Sequence, residues 1–544
     1  MSSKYNQIIT DVFEASCREY ADSPAFTCMN HTLTFRDLDQ YSARFAAYLQ
    51  QFTSLQPGDR IAIQLPNILQ YPVAVFGAIR AGMVVVNTNP LYTAHELKHQ
   101  LNDSGAKALV VLANIAKNAA SIIEETKVEQ VIVTELADLH PPIKRVLLNF
   151  AVKHIKKMVP SFSFPVQIGY RDALNKPQKP FQPVKRDPED VAVLQYTGGT
   201  TGVAKGAMLT HRNLVANMLQ VNEHMKEVFR KNQDTFITPL PLYHIYAFTI
   251  HCMCAFSLGN HNILIPNPRD IKSFVATLKG VRFSCFVGLN TLFNALLRNP
   301  DFVKLDFSQL RLTSSGGMAL TAEASRHWTQ VTGSVIAEGY GLTETSPVVA
   351  INPPKQVQQG TVGVPMPDTE CKVIDDAGNA LPTGEPGELC IRGPQVMKGY
   401  WQRPEATAEV LDAEGWFKSG DIAIIQSDGY IKIVDRKKDM INVSGFKVFP
   451  NEVEDVLAGH PDIVEAAVIG VPDEQGGETV KAFVVTNNSS LTVADVREYA
   501  KTKLTPYKVP HLVEFRKELP KSNVGKVLRR ELKDEESKGA KQKQ

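Results

Sequence analysis

The sequence lacks a large excess of charge of either sign, which excludes proteins that bind through bulk charge. Its 544 residues include 59 Lys and Arg against 57 Asp and Glu, a formal net charge of +2. A chain this balanced is not built to bind nucleic acid along its surface, and we expect no nucleic-acid partner. Hydrophobic residues make up 43% and charged residues 21%, which is typical of globular proteins and excludes disordered, collagenous or coiled-coil chains.

Cysteine is also scarce. The seven cysteines are an odd number and form no Cys-x-x-Cys pair, which favours a reduced, cytoplasmic protein over a disulfide scaffold or a zinc ribbon. The start, MSSKYNQIITDVFEAS, lacks the apolar core of a signal peptide. Cys252 and Cys254 lie beside His251, but without a second ligand pair they are interpreted as buried thiols rather than metal ligands.

Long apolar runs are missing too. The most apolar stretch, Ile245 to Leu258, is too short and too polar to span a bilayer and predicts a buried helix. Residues 144–159 place apolar side chains at helical spacing among Lys and Arg. Such a basic amphipathic helix can lie on an anionic membrane surface. The commoner interpretation is a surface helix whose apolar face packs on its own domain.

The hydrophobic pattern divides the chain. Strands alternate with helical segments up to about residue 340, which predicts an α/β fold of parallel-rich sheets covered by helices. Short strands around Asp-Gly turns then predict an antiparallel β subdomain, and a compact α+β pattern follows. We therefore predict an N-terminal domain at residues 1–434, a domain boundary at 435–441, a small C-terminal α+β domain at 442–532 and a polar tail at 533–544.

One short motif suggests zinc but has a better explanation. His95 to His99 match H-E-x-x-H, a spacing that can place two imidazoles on one zinc ion. Thr93 and Glu96, however, also form a capping box, in which the Glu96 carboxylate reaches back to the helix start. We therefore interpret the segment as a helix N-terminus.

The most informative stretch is YTGGTTGVAKG, residues 196–206. Its glycines let the backbone approach a ligand, and its threonine hydroxyls and one lysine suit a polyphosphate. It is not a Walker A loop, because Gly206 rather than Ser or Thr follows Lys205. The alternative is a flexible surface loop. The candidate ligand-binding residues here are Thr197, Gly198, Gly199, Thr200, Thr201, Gly202 and Lys205.

This loop resembles the phosphate loop of the acyl-adenylate-forming superfamily, and further family motifs follow in order. They are GYGLTET at 339–345, SGD at 419–421, DRKKDMINVSGFKVFPNEVE at 435–454 and PKSNVGKVLRREL at 520–532. The nearest resemblance is to bacterial long-chain fatty acid–CoA ligases. It rests on PLYHIYAF, NTLFNALL and an almost uninterrupted match in the residues that follow Val434. It implies that ATP and Mg²⁺ activate a medium- to long-chain fatty acid as acyl-AMP, with release of pyrophosphate, before coenzyme A takes the acyl group.

The resemblance also implies a role for each motif residue. Lys526 would be the catalytic cation that contacts the carboxylate and the α-phosphate, although from the residues alone it could equally be a tail lysine. His244 matches an acyl-site histidine, whereas the residues alone favour a core histidine. Glu344 and Thr197 would hold Mg²⁺. The other implied ATP-site residues are Gly339, Tyr340 (stacked on adenine), Gly341, Thr343, Thr345 (on phosphate), Asp421 (on ribose) and Arg436.

The second half-reaction has its own implied residues. The resemblance implies that residues 435–441 are a hinge, with Lys438 at the family's hinge position, and that the C-terminal domain is mobile. Ser444, Gly445 and Phe446 would then approach coenzyme A. The implied acyl pocket comprises Phe248, at the position of an aromatic gate, with Gly288, Ser315, Gly316 and Gly317.

We also expect a location at the inner face of the cytoplasmic membrane, peripheral contact with its anionic surface, and a homodimer. The alternatives are an aryl-, short-chain- or carrier-protein-directed ligase and a non-catalytic acyl or nucleotide sensor.

Overall fold

Two large sheets form the body of the protein in the computed structural model, which describes residues 3–197, 204–318, 320–443, 446–473, 477–521 and 527–541. The first sheet has seven strands, of which six are joined by parallel pairing and the last is antiparallel. In spatial order its strands are Gln167–Gly169, Gln130–Thr134, Ala108–Leu112, Arg60–Gln64, Val84–Asn87, Val191–Thr197 and Lys205–Thr210.

The second sheet has nine strands with a parallel centre and antiparallel margins. In spatial order its strands are Val364–Pro365, Val348–Ile351, Ile336–Gly341, Leu312–Gly316, Cys285–Gly288, Thr235–Thr238, His261–Leu264, Pro24–Cys28 and His31–Thr34. Both sheets confirm the predicted α/β class with parallel-rich sheets.

Helices cover these sheets and pack within the smaller domain. The α-helices are Ile9–Glu19, Phe35–Phe52, Gln70–Arg80, Ala94–Ser104, Ala116–Ala120, Pro142–Phe150, Tyr170–Asn175, His211–His224, Ile245–Ala247, Ile271–Leu278, Asn290–Leu297, Ala322–Thr332, Pro404–Val410, Pro450–Ala458, Val493–Lys501 and Arg529–Lys541. Shorter 3₁₀ turns are Ser3–Tyr5, Ala113–Ile115, Ile123–Glu125, Thr343–Thr345, Lys437–Asp439 and Pro506–Lys508.

Strand side chains explain how the sheets are held together. Every residue of Ala108–Leu112 is buried, as expected for a parallel strand covered on both faces. Neighbouring residues serve different cores, because strand side chains alternate between faces. Val85 belongs to the central apolar core that also contains Val349 of the second sheet, whereas Val86 belongs to the core on the opposite face of the first sheet.

The antiparallel subdomain and the C-terminal domain follow in chain order. The subdomain is the sheet Glu370–Ile374, Pro386–Arg392, Phe417–Ile425 and Ile431–Arg436, with antiparallel pairing throughout. Beyond it lie the hairpin Ile441–Val443 with Phe446–Val448 and a sheet of Ile463–Pro472, Glu478–Thr486 and Leu512–Phe515. The predicted antiparallel β subdomain is therefore present.

The predicted buried helix at residues 245–258 is present. It begins with the short α-helix Ile245–Ala247 and continues as the π-helix Phe248–Ala255, every residue of which is buried. Residues 533–541, the first part of the predicted polar tail, lie in the helix Arg529–Lys541. Charge holds that helix to the domain, since Glu536 pairs with Lys481 at 2.6 Å and Glu535 with Arg516 at 2.6 Å.

The basic amphipathic segment also departs from its commoner interpretation. It forms the helix Pro142–Phe150 and the π-helical turn Ala151–Ile155, and its apolar face does not pack on the domain. Ile143, Leu147 and Ile155 are 79%, 64% and 70% exposed. Among the helices of the described ranges, none combines the length and apolarity needed to cross a bilayer.

Candidate active site

A cavity of about 760 Å³ opens where strands of both large sheets end. Thr197 closes the strand Val191–Thr197, and Gly316 and Gly341 close two neighbouring strands of the second sheet. All three residues line the cavity. Ligands of open α/β sheets bind at the carboxyl ends of strands, and this volume lies in the range of small-molecule sites.

The cavity wall carries more positive than negative charge. Its cations are Lys205, Lys418, Arg436, Lys437 and Lys438, and its carboxylates are Glu344, Glu388 and Glu409. Arg436 Nε lies 3.1 Å from Asp421 Oδ1, and Lys437 Nζ lies 2.9 Å from Glu388 Oε2. Within the described part of the chain, the other three lysines have no carboxylate partner. This surplus suits a polyanionic ligand.

Three of the predicted ATP-site residues are in direct contact. The Tyr340 hydroxyl donates to Asp421 Oδ2 at 2.5 Å, while Arg436 pairs with the other oxygen of that carboxylate. Asp421 is buried, and its backbone N–H donates to Ser419 Oγ at 3.1 Å. Burial and the neighbouring Asp421 raise the pKa of Tyr340 well above its ordinary value. The structure thus brings together residues that are 96 positions apart in the sequence, and their contacts with adenine and ribose stay predictions.

Glu344 is oriented by a residue that sequence reasoning missed. The Tyr400 hydroxyl donates to Glu344 Oε1 at 2.7 Å, and Lys205 Nζ lies 5.2 Å from the centre of the Tyr400 ring. Burial raises the pKa of Glu344, and the hydrogen bond from Tyr400 opposes that rise. Pairing of the chain next to Tyr400 with strand Lys205–Thr210 causes this contact, because Trp401 N–H donates to the Gly206 carbonyl at 2.8 Å.

The segment 339–345 forms a tight loop that requires glycine. A Cβ on Gly341 would lie 2.0 Å from the Pro347 carbonyl oxygen, so no other residue fits without displacement of the backbone. Thr345 is fully buried, and its hydroxyl donates to the same carbonyl at 2.5 Å. Gly339, Thr343 and Glu344 line the cavity. The contacts of Thr345 are with its own loop, and its role on phosphate stays a prediction.

His244 lies in the cavity wall with a defined hydrogen bond. Its Nδ1 accepts from the Tyr246 backbone N–H at 3.3 Å and so caps the short helix Ile245–Ala247. Burial lowers the pKa of His244 to about 4, so the imidazole is neutral at pH 7 with its proton on Nε2. The Tyr246 hydroxyl lies 3.2 Å from Ser314 Oγ, which links this wall to the end of strand Leu312–Gly316. Tyr246 was also missed, although it follows His244 by two positions.

The residues assigned to the acyl pocket divide into two groups. Gly316 and Gly317 line the cavity, together with Leu289 and Met318, whereas Phe248, Gly288 and Ser315 do not. Phe248 is fully buried in the central core, and a Cβ on Gly288 would lie 2.7 Å from the ring of Phe293. Ser315 is fully buried, and its hydroxyl has no hydrogen-bond partner within the described ranges.

Several predicted residues lie outside the described residues: Gly198, Gly199, Thr200, Thr201, Gly202, Ser444, Gly445 and Lys526. Their flanks are described. Thr197 pairs with Lys205 across the end of an antiparallel strand pair, and Lys521 pairs with Val527. Phe446 does not line the cavity; it is exposed and stacks on Tyr507 with ring centres 4.8 Å apart.

A buried ion-pair cluster ties the end of the C-terminal domain to the predicted hinge. Arg529 lies 3.2 Å from the fully buried carboxylate of Asp435 and 2.6 Å from that of Glu454. The second Asp435 oxygen accepts from the Asn451 backbone N–H at 2.7 Å. Lys438 lies three residues further on, in the turn Lys437–Asp439, and burial lowers its pKa. Arg529 therefore joins the segment after residues 522–526 to the start of the hinge.

The H-E-x-x-H segment, His95 to His99, has the capping geometry that the sequence predicts. Glu96 accepts from the Thr93 backbone N–H at 2.8 Å, and Thr93 Oγ1 accepts from the Glu96 N–H at 3.3 Å. Both partners are thus engaged in starting the helix Ala94–Ser104. His99 Nε2 lies 3.3 Å from the Ala204 carbonyl oxygen. The capping box is confirmed.

The fold and the cavity agree with comparisons to known proteins. The family model described as AMP-binding enzyme matches residues 13–401, and that of the AMP-binding enzyme C-terminal domain matches residues 452–526. The chain therefore belongs to the AMP-binding enzyme family.

Individual relatives cover nearly the whole chain. A long-chain-fatty-acid–CoA ligase of Escherichia coli O6:H1 is 52% identical over 97% of this chain and 94% of its own length. A protein of the same name from Yersinia pestis is 51% identical over 98% of this chain and 95% of its own length. The solved structure of ATP-bound MatB from Rhodopseudomonas palustris superposes with a TM-score of 0.81 at 29% identity, covering 96% of this chain and 98% of that one.

Removing the Arg529 guanidinium tests the buried cluster. Arg529→Gln leaves the buried Asp435 carboxylate and the partly buried Glu454 carboxylate without their cation, and we expect a loss of about 3–5 kcal/mol in the free energy of unfolding. Denaturant unfolding of both proteins measures this. Arg530→Gln is the control, because its pair with Asp534 is more than half exposed and contributes about 1 kcal/mol at most. Equal losses in the two variants would contradict the assignment.

Proposed function

We propose that this protein is an ATP-dependent fatty acid–CoA ligase that activates a medium- to long-chain fatty acid as acyl-AMP, releases pyrophosphate and transfers the acyl group to coenzyme A. The observation that carries the proposal is the cavity with a surplus of lysines at the carboxyl ends of both sheets, where Tyr340, Asp421 and Arg436 meet. Sequence identity of about one half to enzymes named long-chain-fatty-acid–CoA ligase supports the choice of substrate.

The first half-reaction joins two anions, so its barrier falls when the site supplies positive charge. A carboxylate oxygen attacks the α-phosphorus of ATP, the bond to the bridging oxygen breaks, and pyrophosphate leaves with its electron pair. Lys205 and Lys418 already line the cavity, and we assign Lys526 as the cation at the reacting carboxylate. We also assign residues 198–202 of the sequence to binding of the phosphates. We assign Asp421 to accept hydrogen bonds from the ribose hydroxyls, and Arg436, which pairs with Asp421, to help hold the ribose.

Coenzyme A carries the second half-reaction. Its thiolate attacks the acyl carbonyl, and AMP leaves. The hinge at Lys438 lets the C-terminal domain rotate, which withdraws Lys526 and brings Ser444, Gly445 and Phe446 towards the pantetheine arm. The exposed position of Phe446 is compatible with such a role. His244 holds the acyl end of the cavity in shape as a neutral side chain, with Gly316 and Gly317 leaving room for the chain.

Magnesium fits the residues at one wall. We assign Glu344 and Thr197 to it, because Mg²⁺ takes one or two carboxylates together with phosphate oxygens and water. Glu344 is a half-buried carboxylate beside the cationic wall, and the hydrogen bond from Tyr400 favours its ionised form. When bound, the ion neutralises phosphate charge, while the hydrogen bond from Tyr400 fixes the position of the Glu344 carboxylate.

We also assign the protein to the cytoplasm, peripheral to the inner face of the cytoplasmic membrane, with a homodimer as its assembly. The apolar substrate partitions into lipid, and the exposed apolar side chains of residues 142–158 support contact with a membrane.

Light scattering of the purified chain at micromolar concentration tests the homodimer, and a monomer mass would contradict it.

A series of acids tests the proposed substrate. We expect thioester formation to rise from acetate to the C12–C18 acids and to require ATP, because each buried CH₂ contributes about 0.8 kcal/mol. Coupled release of pyrophosphate and AMP across the series measures this. A maximum with benzoate or acetate would favour an aryl- or short-chain ligase, acylation of a carrier protein instead of coenzyme A would favour a loading enzyme, and binding without turnover would favour a sensor.

Lys526→Ala tests the catalytic cation. We expect pyrophosphate release to fall by about 10²–10³-fold, because one charged contact to the transition state is lost. Thioester formation from supplied acyl-AMP should fall far less, since that step does not use the lysine. Lys517→Ala, an exposed lysine nine positions earlier, is the control and should leave both steps unchanged. Equal loss of both half-reactions in Lys526→Ala would refute the role.

Tyr400→Phe tests how Glu344 is positioned. The variant keeps the ring beside Lys205 and removes the donor to Glu344. A hydrogen bond to a charged group contributes about 1.5–3 kcal/mol, so we expect the Mg²⁺ concentration for half-maximal pyrophosphate release to rise about tenfold or more. Tyr430→Phe is the control, because its hydroxyl donates to the Gln356 carbonyl at 2.7 Å on an exposed surface. An unchanged Mg²⁺ dependence in Tyr400→Phe would remove Tyr400 from this role.

A further inference from the structure

The helix Pro142–Phe150 and the turn Ala151–Ile155 expose an apolar surface that is unusual for a protein in water. We call this surface the apolar face of residues 142–158. Its side chains recur at helical spacing and are all more than half exposed. They are Ile143, Val146, Leu147, Phe150, Ile155 and Met158. Contiguous exposed apolar surface of this kind marks an interaction site.

The opposite side of the same segment is anchored, so the apolar face is held outward. Asn149 Oδ1 accepts from the Ala137 backbone N–H at 2.9 Å, and Asn149 Nδ2 donates to Asp138 Oδ1 at 3.3 Å. Val152 is buried, and Asn114 Nδ2 donates to the Met158 carbonyl at 3.3 Å. These contacts fix which side of the helix faces the protein.

Basic side chains border the apolar face. Lys153, Lys156 and Lys157 are exposed, and Lys144 and Arg145 are half-buried at the other end. The segment 142–158 contains no Asp or Glu. An apolar stripe edged by uncompensated cations is the pattern of helices that lie in the interface of an anionic bilayer.

A second cavity lies directly beside this helix, and it shares no lining residue with the candidate active site. Its volume is about 320 Å³, and three arginines contribute to its wall: Arg44, Arg145 and Arg171. Within the described part of the chain, none of the three has an ion-pair partner. They come from three separate segments, so the arrangement depends on the fold.

The remaining polar groups of this cavity leave its charge positive. Asp138 is its one carboxylate among the described lining residues, and that side chain accepts from Thr134 Oγ1 at 2.9 Å and the Glu135 N–H at 2.8 Å. His31 and His140 lie with ring centres 5.2 Å apart, and burial lowers the pKa of both, to about 4 for His140. His140 is buried, and its Nδ1 has no hydrogen-bond partner within the described ranges.

We propose that the apolar face of residues 142–158 and the arginine-lined cavity beside it form one docking surface for an anionic phospholipid bilayer. The apolar face enters the acyl region, the flanking lysines meet the anionic surface, and the cavity receives the phosphate of a lipid headgroup. Arginine suits this task, because its planar donors bind phosphate in pairs and its charge persists when half-buried. Charge complementarity selects a lipid surface over an apolar protein partner.

Cosedimentation of the full chain with vesicles tests the proposal. We expect binding to vesicles of phosphatidylglycerol and phosphatidylcholine to exceed binding to phosphatidylcholine alone, and to weaken as salt screens the charges. The double variant Leu147→Glu/Phe150→Glu should lower the partition coefficient about tenfold or more on the anionic vesicles. Val335→Glu is its matched control, because that valine is also exposed but lies elsewhere, and it should bind as the unchanged protein does.

The arginines are tested by a separate pair. Arg145→Gln/Arg171→Gln should weaken binding to anionic vesicles severalfold and leave binding to phosphatidylcholine unchanged, and Arg326→Gln, an exposed arginine on the helix Ala322–Thr332, should change neither. Unfolding curves of every variant verify the fold. The proposal is overturned if the unchanged protein does not bind anionic vesicles, if either double variant binds as it does, or if Leu147→Glu/Phe150→Glu instead converts a dimer to a monomer. The proposal rests on the membrane position assigned under the proposed function and shares its outcome. The assays do not measure acyl activation, so a failure to bind vesicles leaves the proposed ligase activity standing.

Discussion

Uncompensated positive charge in an enclosed space is the constraint on which the candidate site depends. Lysines that line one cavity without carboxylate partners repel one another, and a bound polyanion relieves that repulsion. The described cavity wall has three such lysines, Lys205, Lys418 and Lys438, from three separate segments. The rest of the N-terminal architecture supports this arrangement. Parallel strands of the two large sheets end at one place. Gly341 lets the following loop approach closely, since a Cβ at this position would lie 2.0 Å from the Pro347 carbonyl oxygen.

The two cationic cavities have different surroundings, and these surroundings suit different ligands. The larger one is built from strand ends, tight glycine turns and buried tyrosines, and a small polar molecule can be surrounded there. The smaller one borders an exposed apolar helix, so a ligand bound to its arginines meets an extended apolar surface next to its charge. A molecule with a charged head and long apolar tails matches that pairing, whereas a nucleotide does not. The same chemistry, cation with phosphate, therefore serves two kinds of partner through its surroundings.

Local sequence patterns predicted most of the fold, because they describe neighbours in the chain. The run VAVLQYT is the strand Val191–Thr197, and the residues from Phe35 to Gln51 lie in the helix Phe35–Phe52. Features that depend on distant segments were missed. Tyr400 meets Glu344 because main-chain pairing brings residues 399–401 beside strand Lys205–Thr210, and nothing near Tyr400 in the sequence indicates that pairing. The arginine-lined cavity is a similar case, since Arg44, Arg145 and Arg171 are scattered over more than 120 positions.

The sequence could not decide whether the apolar face of residues 142–158 is exposed, and the reason is a different one. Periodicity establishes that one side of residues 144–159 is apolar, but both a packed helix and a membrane-bound helix have that pattern. What separates them is the other side of the helix. Asn149 and Val152 provide its contacts with the protein, and once those residues face inward, Leu147 and Phe150 must face outward. A single polar residue in an apolar helix can thus decide which face a domain buries, and in this chain it leaves the apolar face for a partner.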